Sequence, residues 1–584
     1  MVFYPPDWVP QLEDDPPDTV PLCDFMFNEI YGRYPLGYSR SPFTCGLSGR
    51  EYSALELRER VDYLARALSK EFGWMPNKGT EWDKVVGVYA LNTVDTLALA
   101  WATHRLNGIC SPVNAAYSVS ELSFQLKDSG SKVVFTCLPL LGTALEAASK
   151  VGIPKDRVYL LDLPLEFLDG KQSPHGFKTV NQLIKEGEDL PRLESLKWTR
   201  GQGARQVAFL CYSSGTSGFP KGVMISHRNV LANVLQMKAY ERDYRNTLRQ
   251  PGTESDYIET VLGLLPQSHI YSLVVMCHLA PYRGDQIIVL PKFEMKSYLE
   301  AIQRFKINML YIVPPMVIQM VKNKKLLDQY NLSSVRSLYT GAAPLGKETA
   351  EVVQAQYPKW TILQAYGLTE TSTVVCSTSP TDVWLGSSGS LMPSCFARLV
   401  SLEGVEITGY DQPGELLVQS PSVVLGYLHD DEANRETFQD GWMRTGDEVV
   451  IKKGPNGHEH LFIVDRIKEL IKVKGMQVPP AELEAQILTH PSVSDCAVIP
   501  IHSDTAGEVP KAFIVKSTSV GLEENEMLLK RNIMKHVQDH KARHKWVKEI
   551  EFVDVIPKSA SGKILRRILK DKERQNKRKE GGKL

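Results

Sequence analysis

A loop rich in glycine and small hydroxyl residues lies between Tyr212 and Val223. In order it reads Tyr-Ser-Ser-Gly-Thr-Ser-Gly-Phe-Pro-Lys-Gly-Val, and it follows the apolar run from Val207 to Leu210. Glycine lets the backbone approach an anion, hydroxyl and amide groups donate hydrogen bonds to it, and a lysine adds positive charge. A helical pattern begins at Val230, with Ser226 placed to cap it. The stretch therefore predicts a strand, a phosphate-binding loop and a helix in succession.

The candidate phosphate ligands of this loop are Ser213, Ser214, Gly215, Thr216, Ser217, Gly218 and Lys221. The loop is not a Walker loop, because no Gly-Lys-Ser/Thr closes it at the required spacing. An ordinary turn uses the same residue types, so a turn without a ligand is the alternative interpretation.

A lysine at the end of a short polar segment, Pro557 to Lys563, suits a different task. The segment reads Pro-Lys-Ser-Ala-Ser-Gly-Lys, so serine and glycine are expected to make the chain around Lys563 mobile. A reaction between two anionic groups needs a site that supplies positive charge. A lysine on a mobile loop can bring that charge to both anions. The alternative is a surface lysine in a basic helix, since Arg566, Arg567 and Lys570 follow.

Three further motifs lie between the glycine-rich loop and Lys563. They read Gln-Ala-Tyr-Gly-Leu-Thr-Glu from Gln364, Gly-Trp-Met-Arg-Thr-Gly-Asp from Gly441, and Asp-Arg-Ile-Lys-Glu-Leu-Ile-Lys-Val-Lys-Gly from Asp465. In this order, all five segments resemble those of the adenylate-forming (AMP-binding) acyl-CoA synthetase and ligase superfamily. The likeness spans residues 212 to 563 and is nearest to the 4-coumarate:CoA ligase-like branch of fungal type. It implies an ATP-dependent acid:CoA ligase that forms an acyl-AMP.

The resemblance assigns roles in nucleotide binding. Tyr366 would stack on adenine, and Thr369 would donate to the α-phosphate. Asp447 would accept hydrogen bonds from both ribose hydroxyls, and Arg466 would reach the ribose or a phosphate. The other residues assigned to the nucleotide site are Ala342, Gln364, Ala365 and Gly367.

The resemblance also implies a Mg²⁺ site formed by Glu370 and Thr216, whose hard oxygen atoms suit this ion. Without the resemblance, Glu370 is a carboxylate favoured at a helix start by the dipole. Without the resemblance, Tyr366 would be interpreted as a buried packing residue and Asp447 as a turn residue.

For the second half-reaction, the resemblance implies that a C-terminal domain rotates about a hinge that contains Lys468. Lys563 would leave the site and the Lys474-Gly475 loop would enter it, its glycine giving the CoA thiol a close path. Lys472 and Gln477 would contact the adenylate phosphate and hold the intermediate. Without the resemblance, these lysines form a solvated face.

The segment from Leu265 to Leu273, Leu-Pro-Gln-Ser-His-Ile-Tyr-Ser-Leu, resembles the family segment that forms a wall of the acyl tunnel. His269 would gate the tunnel and Tyr271 would line it, although a single histidine is more often structural. The other residues assigned to the acyl pocket are Gly341, Ala365 and Val374. Ala365 replaces a glycine common after this glutamine, and a methyl-sized change is worth about 1–3 kcal/mol of discrimination. We expect a hydrophobic carboxylic acid, either aryl or medium-chain acyl.

The composition is that of a globular protein with more than one domain. A chain of 584 residues is too long for a single hydrophobic core. Lys plus Arg and Asp plus Glu balance at 68 each, and hydrophobic residues make up 43%. This charge balance favours neither nucleic acid nor a membrane surface. The apolar stretch Val85 to Leu106 contains charged and polar residues and predicts a core strand and helix, not a membrane span. Nine scattered cysteines without a Cys-x-x-Cys suit a reducing compartment and argue against structural zinc.

Strand-like and helix-like runs alternate along the chain, which favours layered α/β structure. The predicted elements are helices at 55–68 and 346–357, strands at 132–137, 308–313 and 335–339, and a small β unit at 397–426. The resemblance makes residues 1–465 a large multi-subdomain N-terminal adenylation domain with layered α/β sheets. Residues 466–584 would form a small mobile α+β C-terminal lid, with the hinge at 465–468.

The expected partners are a small-molecule carboxylic acid and CoA, with no nucleic acid and no transmembrane segment. The last residues, Gly582-Lys583-Leu584, match the peroxisomal address Ser-Lys-Leu except at the glycine. They predict import by the peroxisomal receptor, with a cytoplasmic location and a frayed tail as the alternative.

Two alternatives to CoA transfer stay open for the second step of the reaction: transfer to the phosphopantetheine arm of a carrier protein, and luciferase-like oxygenation of the adenylate. The sequence does not indicate whether the protein forms oligomers.

Overall fold

The computed structural model describes residues 1–170, 176–213, 220–249, 257–401, 403–474, 476–503, 505–517, 525–559 and 562–581. The predicted loop ligands Ser214 to Gly218, with Thr216 among them, lie outside these residues. So do the predicted CoA-path residue Gly475 and the C-terminal tripeptide with its peroxisomal address. The roles assigned to them stay predictions.

Among the described residues, seven strands form a mostly parallel sheet. In spatial order they are Gly426–Tyr427, Lys221–Ser226, Val207–Ser213, Ile109–Val113, Val85–Tyr89, Val133–Thr136 and Val158–Leu160. The last five run parallel, and the three central ones are buried along their whole length. Such burial explains why their sequences are apolar without alternation. The sheet confirms the strand predicted at 132–137 and the strand and helix predicted between residues 85 and 106.

A second sheet has nine strands among the described residues. In spatial order they are Ser390–Leu391, Thr373–Ser377, Thr361–Leu368, Ser337–Thr340, Met309–Ile312, Thr260–Gly263, Gln286–Val289, Phe43–Cys45 and Glu51–Tyr52. The six strands from Thr361–Leu368 to Phe43–Cys45 run parallel. The loops that follow parallel strands leave from one edge of a sheet, where α/β proteins bind their ligands. This sheet confirms the strands predicted at 308–313 and 335–339.

In the described part of residues 396–466, six antiparallel strands form a third sheet. They are Glu406–Ile407, Phe396–Val400, Pro413–Gln419, Trp442–Lys453 and Phe438–Gln439, with Glu459–Arg466 beside Trp442–Lys453. This is the predicted small β unit, but it continues to Arg466 instead of ending at residue 426. The strand Gly426–Tyr427 belongs to the first sheet, because it pairs with Lys221–Ser226.

The elements from Ile471 onward, which we call the C-terminal domain, form a sheet of their own. Its strands are Met476–Val478, Ile471–Val473, Gly507–Lys516 and Val493–Ser503, with Glu549–Phe552 parallel to Gly507–Lys516. Two hydrophobic clusters of this domain are built from residues after Leu470. The strand Glu459–Arg466 ends inside the predicted hinge. The domain boundary at 465 and the mobility of the domain stay predictions.

Helices cover these sheets. The α-helices are Leu22–Phe25, Ala54–Phe72, Thr96–Arg105, Val119–Asp128, Leu141–Lys150, Val180–Glu188, Gln202–Arg205, His227–Thr247, Ala280–Tyr282, Met295–Phe305, Pro314–Lys322, Lys324–Leu327, Lys347–Gln356, Asp431–Thr437, Pro480–Leu488, Glu526–Gln538 and Arg566–Gly581. A π-helix spans Tyr271–Leu279, and 3₁₀ turns span Glu29–Tyr31, Glu81–Lys84, Leu138–Leu140, Lys155–Arg157, Thr369–Thr371 and Arg543–Lys545. The helices predicted at 55–68 and 346–357 are both present.

The helix His227–Thr247 is capped as predicted, but it does not continue the phosphate loop. Asn229 N donates to Ser226 Oγ at 3.1 Å, and Ser226 N donates to Asn229 Oδ1 at 2.9 Å. Between the loop and this cap, Lys221–Ser226 forms a strand antiparallel to Val207–Ser213. The predicted strand–loop–helix succession is therefore wrong, because the apolar residues after Lys221 pair within the sheet. The loop joins the two strands of a hairpin.

All nine cysteines are free and buried. Within the ranges that the structure describes, no helix is both long enough and apolar enough to cross a membrane.

Candidate active site

Asp447 and Arg466 lie opposite each other on neighbouring antiparallel strands, Trp442–Lys453 and Glu459–Arg466. Arg466 Nε is 3.5 Å from Asp447 Oδ1, and the Tyr366 hydroxyl donates to Asp447 Oδ2 at 2.7 Å. Asp447 is only 4% exposed. Three residues predicted to bind the nucleotide therefore meet at one buried carboxylate.

The charges around Asp447 balance the cost of burying it. Burial raises the pKa of the Asp447 carboxyl, and Arg466 and the Tyr366 hydroxyl offset part of that rise. For Arg466, burial alone would lower the pKa, but the nearby carboxylates of Asp447, Glu469 and Glu370 raise it. A carboxylate held in this way retains lone pairs that can accept hydrogen bonds from a pair of hydroxyl groups.

Lys563 reaches the same site from the C-terminal domain. Burial and the positive charge of Arg466 lower the pKa of its ammonium group to about 8, while Glu469, Asp447 and Glu370 act in the opposite sense. The Lys563 ammonium therefore lies in the field of the predicted ribose acceptor and the predicted magnesium ligand. At neutral pH it carries its charge.

Lys563 bonds back to Ser559, and Gly562 packs against the N-terminal part of the chain. Ser559 N donates to Lys563 O at 2.8 Å, and Lys563 N donates to Ser559 Oγ at 3.1 Å. Gly562 has a φ of +81°, and a Cβ atom there would lie 3.1 Å from Pro315 Cγ. Glycine is needed at this position both for its backbone angle and for this close approach.

Tyr427, which carried no sequence signal, joins two of the predicted site residues. Its hydroxyl donates to Glu370 Oε1 at 3.0 Å, and Lys221 Nζ lies 5.1 Å from the centre of its ring. Lys221 also pairs with Asp430 at 3.0 Å, and Asp430 caps the helix Asp431–Thr437. Tyr427 thus positions the carboxylate predicted to bind Mg²⁺ and the lysine predicted to bind phosphate.

We expect Tyr427→Phe to raise the KM for Mg²⁺-ATP about three- to tenfold, because a hydrogen bond to a charged group is lost while the ring stays. The KM for the acid should not change. Steady-state pyrophosphate release at varied ATP measures both constants. Tyr410→Phe is the matched control, since it removes a tyrosine–glutamate bond of 2.8 Å to Glu459 in the third sheet. An unchanged KM for ATP in the Tyr427 variant would contradict the assigned role.

His269 lies near Lys563, two residues before Tyr271 of the predicted acyl pocket. Tyr271 N donates to His269 Nδ1 at 3.3 Å, so the neutral ring carries its proton on Nε2. Burial and the charge of Lys563 lower the pKa of His269 to about 4. The ring is therefore uncharged at neutral pH and presents an N–H donor beside the lysine.

Tyr271 opens a buried π-helix, a rare form that is frequent at functional sites. Its hydroxyl donates to Tyr339 O at 2.9 Å, and its ring stands edge-on to Tyr311 with the ring centres 6.3 Å apart. A Cβ atom on Gly341 would lie 3.7 Å from Tyr271 Cε1 and 3.5 Å from Ala365 O. Three of the predicted acyl-pocket residues are therefore neighbours.

Two of the residues predicted to bind the nucleotide have clear structural tasks. Gln364 is buried; Leu345 N donates to its Oε1 at 3.2 Å, and its Nε2 donates to Ser388 Oγ at 3.3 Å. A Cβ atom on Gly367 would lie 1.5 Å from Thr373 O, so the hairpin requires glycine there. Packing alone explains why these residue types stand at these positions.

The remaining predicted residues surround the same hairpin and its neighbouring loops. Ala342 adopts the left-handed conformation with a φ of +67°, which is uncommon outside glycine and occurs at binding sites. Val374 is buried and pairs with Gly367, and Thr369 begins the 3₁₀ turn that contains Glu370. Ser213 lies opposite Lys221 at the base of the loop hairpin.

The residues predicted for the second half-reaction lie apart from this group. Lys472 and Gln477 are opposite each other in the hairpin of the C-terminal domain, and Lys474 has a φ of +50° at its turn. Within the described ranges, neither the Lys472 nor the Gln477 side chain bonds to the residues around Asp447. Lys563, by contrast, lies in the field of Asp447 and Glu370.

Arg566 was assigned only to a basic helix by its sequence, but it is the centre of a buried ion network. Its guanidinium contacts Glu469 Oε2 at 2.8 Å and both Glu484 oxygens at 2.8 Å. Burial raises the pKa of Glu484 to about 7 although Arg566 acts against the rise. Asp465 lies in the same field and accepts a hydrogen bond from Ala481 N at 2.9 Å. The network connects the predicted hinge, the helix Pro480–Leu488 and the helix after Lys563.

Comparison with known proteins shows the family to which the chain belongs. Residues 38–428 match the family model for AMP-binding enzymes, and residues 482–563 match the model for the AMP-binding enzyme C-terminal domain. The acyl-CoA ligase easD of Emericella nidulans is 43% identical over 98% of this chain and 100% of its own length. For the acyl-CoA ligase cm3C of Cordyceps militaris, the identity is 42%, over 99% and 91% of the two chains.

The fold is shared with solved structures at lower identity. An anthranilate CoA ligase, AuaEII in complex with anthranoyl-AMP, superposes with a TM-score of 0.78 and 23% identity, over 95% of this chain and 97% of that chain. MatB from Rhodopseudomonas palustris with bound ATP superposes with a TM-score of 0.76 and 24% identity, over 94% and 98%. Given the family match and the identity to relatives along nearly the whole chain, this protein belongs to the AMP-binding enzyme family.

Proposed function

We propose that this protein is an ATP-dependent acid:CoA ligase. It activates a hydrophobic carboxylic acid as acyl-AMP, releases pyrophosphate and transfers the acyl group to the CoA thiol. The observation that carries the proposal is the position of Lys563, a cation from the C-terminal domain in the field of Asp447, Arg466 and Glu370. The names of the relatives, which are acyl-CoA ligases, support CoA as the acceptor.

In the first step, a carboxylate oxygen attacks the α-phosphorus of ATP and the bond to pyrophosphate breaks. Lys563 stabilises the charge that develops on the oxygens of both reactants. Asp447 accepts hydrogen bonds from the ribose, and Arg466 keeps that carboxylate oriented. His269 is uncharged, so it donates a hydrogen bond near the acid without competing with Lys563 for it.

In the second step, the CoA sulfur attacks the acyl carbon, the thiol proton goes to solvent and AMP leaves. Lys563 occupies the side on which the adenylate forms, so the thiol needs another approach. We expect a rotation about Lys468 to withdraw Lys563 and to bring the Lys474 loop, with Lys472 and Gln477, toward the adenylate.

Glu370 is the residue of the described site that fits Mg²⁺. Tyr427 occupies one of its carboxylate oxygens, and the other has no hydrogen-bond partner within the described ranges. No cluster of three or more metal-binding side chains occurs in the part of the chain that the structure describes. Phosphate oxygens would complete the shell, as is usual for Mg²⁺ with a nucleotide. When bound, the ion neutralises phosphate charge.

The acid is expected to be aryl or medium-chain acyl, and the protein to be 4-coumarate:CoA ligase-like. In the predicted pocket, the ring of Tyr271 and the backbone oxygen of Ala365 lie next to Gly341. The Tyr271 hydroxyl already bonds to Tyr339 O, so the ring offers the acid an apolar surface. An apolar acyl group would gain from burial there.

The test is pyrophosphate release with ATP and Mg²⁺ across benzoate, cinnamate, octanoate and palmitate, each with and without CoA. We expect a single burst without CoA and continuous turnover with it, for an aryl or medium-chain acid. Adenylation that CoA cannot turn over would point to a carrier-protein arm as acceptor. Light emission with oxygen and a luciferin would indicate the oxygenase alternative. No release with any acid would contradict the proposal.

A further inference from the structure

The helix Pro314–Lys322 touches the C-terminal domain at both of its ends. Near its start, Pro315 packs against Gly562 of the Lys563 loop. At its end, Lys322 Nζ donates to Val493 O at 2.6 Å and to Ser494 O at 2.9 Å. Lys322 lies seven positions after Pro315 in the helix, a rise of about 10 Å. Two contacts this far apart define the orientation of the domain as well as its position.

The two carbonyl groups that accept from Lys322 lie at a β-bulge. The register of the strand Val493–Ser503 shifts between Val493 and Asp495, so Ser494 is the extra residue. A bulge interrupts the ladder and re-aims the backbone locally. Here it brings successive carbonyl oxygens to one ammonium group, which supplies charged donors to both.

The residue after the bulge is connected to the Lys563 loop. Both oxygens of Asp495 lie 2.7 Å from Lys558 Nζ, and Lys558 forms an antiparallel bridge with Ile564. Lys563 stands between these two bridged positions. Direct contacts therefore run from Lys322 through the bulge and the Asp495–Lys558 ion pair to the base of the loop that carries Lys563.

The neighbouring lysines do not share this contact. Lys324 pairs with Asp328 at 2.5 Å within its own segment. Within the described ranges, Lys325 has no ion pair and no side-chain hydrogen bond. The cation that crosses to the C-terminal domain from this stretch is Lys322.

We propose that Lys322 is a positioning residue that holds the C-terminal domain where Lys563 can act on ATP and the acid. The inference rests on the proposed ligase function, in which Lys563 serves the first half-reaction and withdraws for the second. Two charged hydrogen bonds formed in one arrangement shift the domain equilibrium about tenfold toward it. Lys322 thus favours adenylation and must release Val493 and Ser494 before the thioester forms.

The test compares the two half-reactions in Lys322→Met. Acyl-AMP formation, followed as the pyrophosphate burst without CoA, should slow about tenfold. Thioester formation from synthetic acyl-AMP and CoA should be unchanged or faster. Lys322→Arg, which keeps charged donors, should restore the burst, and Lys325→Met should leave both steps as in the wild type.

A conformational readout separates this inference from the ligase proposal. Glu300→Cys and Asp539→Cys introduce dye sites at exposed positions on the two sides, since the native cysteines are buried. Lys322→Met should change the energy transfer between the dyes in the ATP-bound protein, because the domain leaves this arrangement more often. Equal transfer and equal burst rates in variant and wild type, or equal loss of both half-reactions, would overturn the inference. A wild type that adenylates no acid would instead refute the proposed function.

Discussion

Replacing Lys563 with alanine is expected to slow acyl-AMP formation about 100- to 1000-fold, the usual cost of removing one preorganised donor from developing charge. Thioester formation from supplied acyl-AMP should be largely intact, because the rotation that we propose withdraws Lys563 before that step. Pyrophosphate release without CoA measures the first step, and thioester yield from synthetic acyl-AMP measures the second. Equal loss of both steps would contradict the role assigned to Lys563.

Arg574→Ala is the control for this variant, since Arg574 is 75% exposed on the same helix that follows Lys563. The pH profile gives a second signature. In the wild type, kcat/KM for ATP should fall as pH rises above the Lys563 pKa of about 8, because the ammonium loses its proton. Lys563→Ala should lose this limb of the profile. A limb that persists in the alanine variant would assign it to another group.

Arg566→Met should destabilise the C-terminal domain by about 3–5 kcal/mol, because it leaves buried carboxylates without their partner. Arg566 and Glu484 are each only 10% exposed, so water cannot replace the lost guanidinium. Calorimetry should show the transition of the C-terminal domain at a lower temperature. The rate of acyl-AMP formation should fall as well, since the network supports the helix after Lys563.

The destabilisation by Arg566→Met should be larger at pH 8 than at pH 6. Burial raises the pKa of Glu484 to about 7, above its ordinary range, so the folded domain favours the protonated acid. That contribution to stability is present at low pH and is lost as pH rises through about 7. Without Arg566, less positive charge stabilises the ionised Glu484 carboxylate. The free energy of unfolding therefore falls more between pH 6 and pH 8 in the variant than in the wild type. Arg574→Met should leave the transition unchanged at both pH values, and an equal effect of both variants would contradict the network.

The elements that the sequence predicted well are those whose signals are local. The helix Ala54–Phe72 begins with a capping box between Ser53 and Glu56, three residues apart, and the buried parallel strands read as apolar runs. The sequence predicts a helix directly after the phosphate loop and misses the strand Lys221–Ser226. This strand is short and ends at a true helix cap, so no local pattern marks it. The cap at Ser226 was right, but pairing of that strand with Val207–Ser213 depends on the sheet, which no local pattern shows.

The site was predictable in its residue types and unpredictable in its contacts. The family resemblance indicated Asp447 and Arg466, yet their opposition depends on the register of two strands. Tyr427 and Glu370 are 57 positions apart, and Arg566 and Glu484 are 82 positions apart. Tyrosine and arginine are ordinary at such positions, so only the folded chain reveals these partners. The same holds for Lys322, whose acceptors are backbone carbonyl groups and leave no trace in side-chain types.

The burial of every cysteine has a consequence for an enzyme whose co-substrate is itself a thiol. Thiol–disulfide exchange needs an accessible thiolate, and burial raises the pKa of thiols such as Cys277, to about 12, and Cys137, to about 11. CoA that has been oxidised to its disulfide would therefore find no partner on the protein surface. The chain can bind a reactive sulfur repeatedly without becoming trapped as a mixed disulfide.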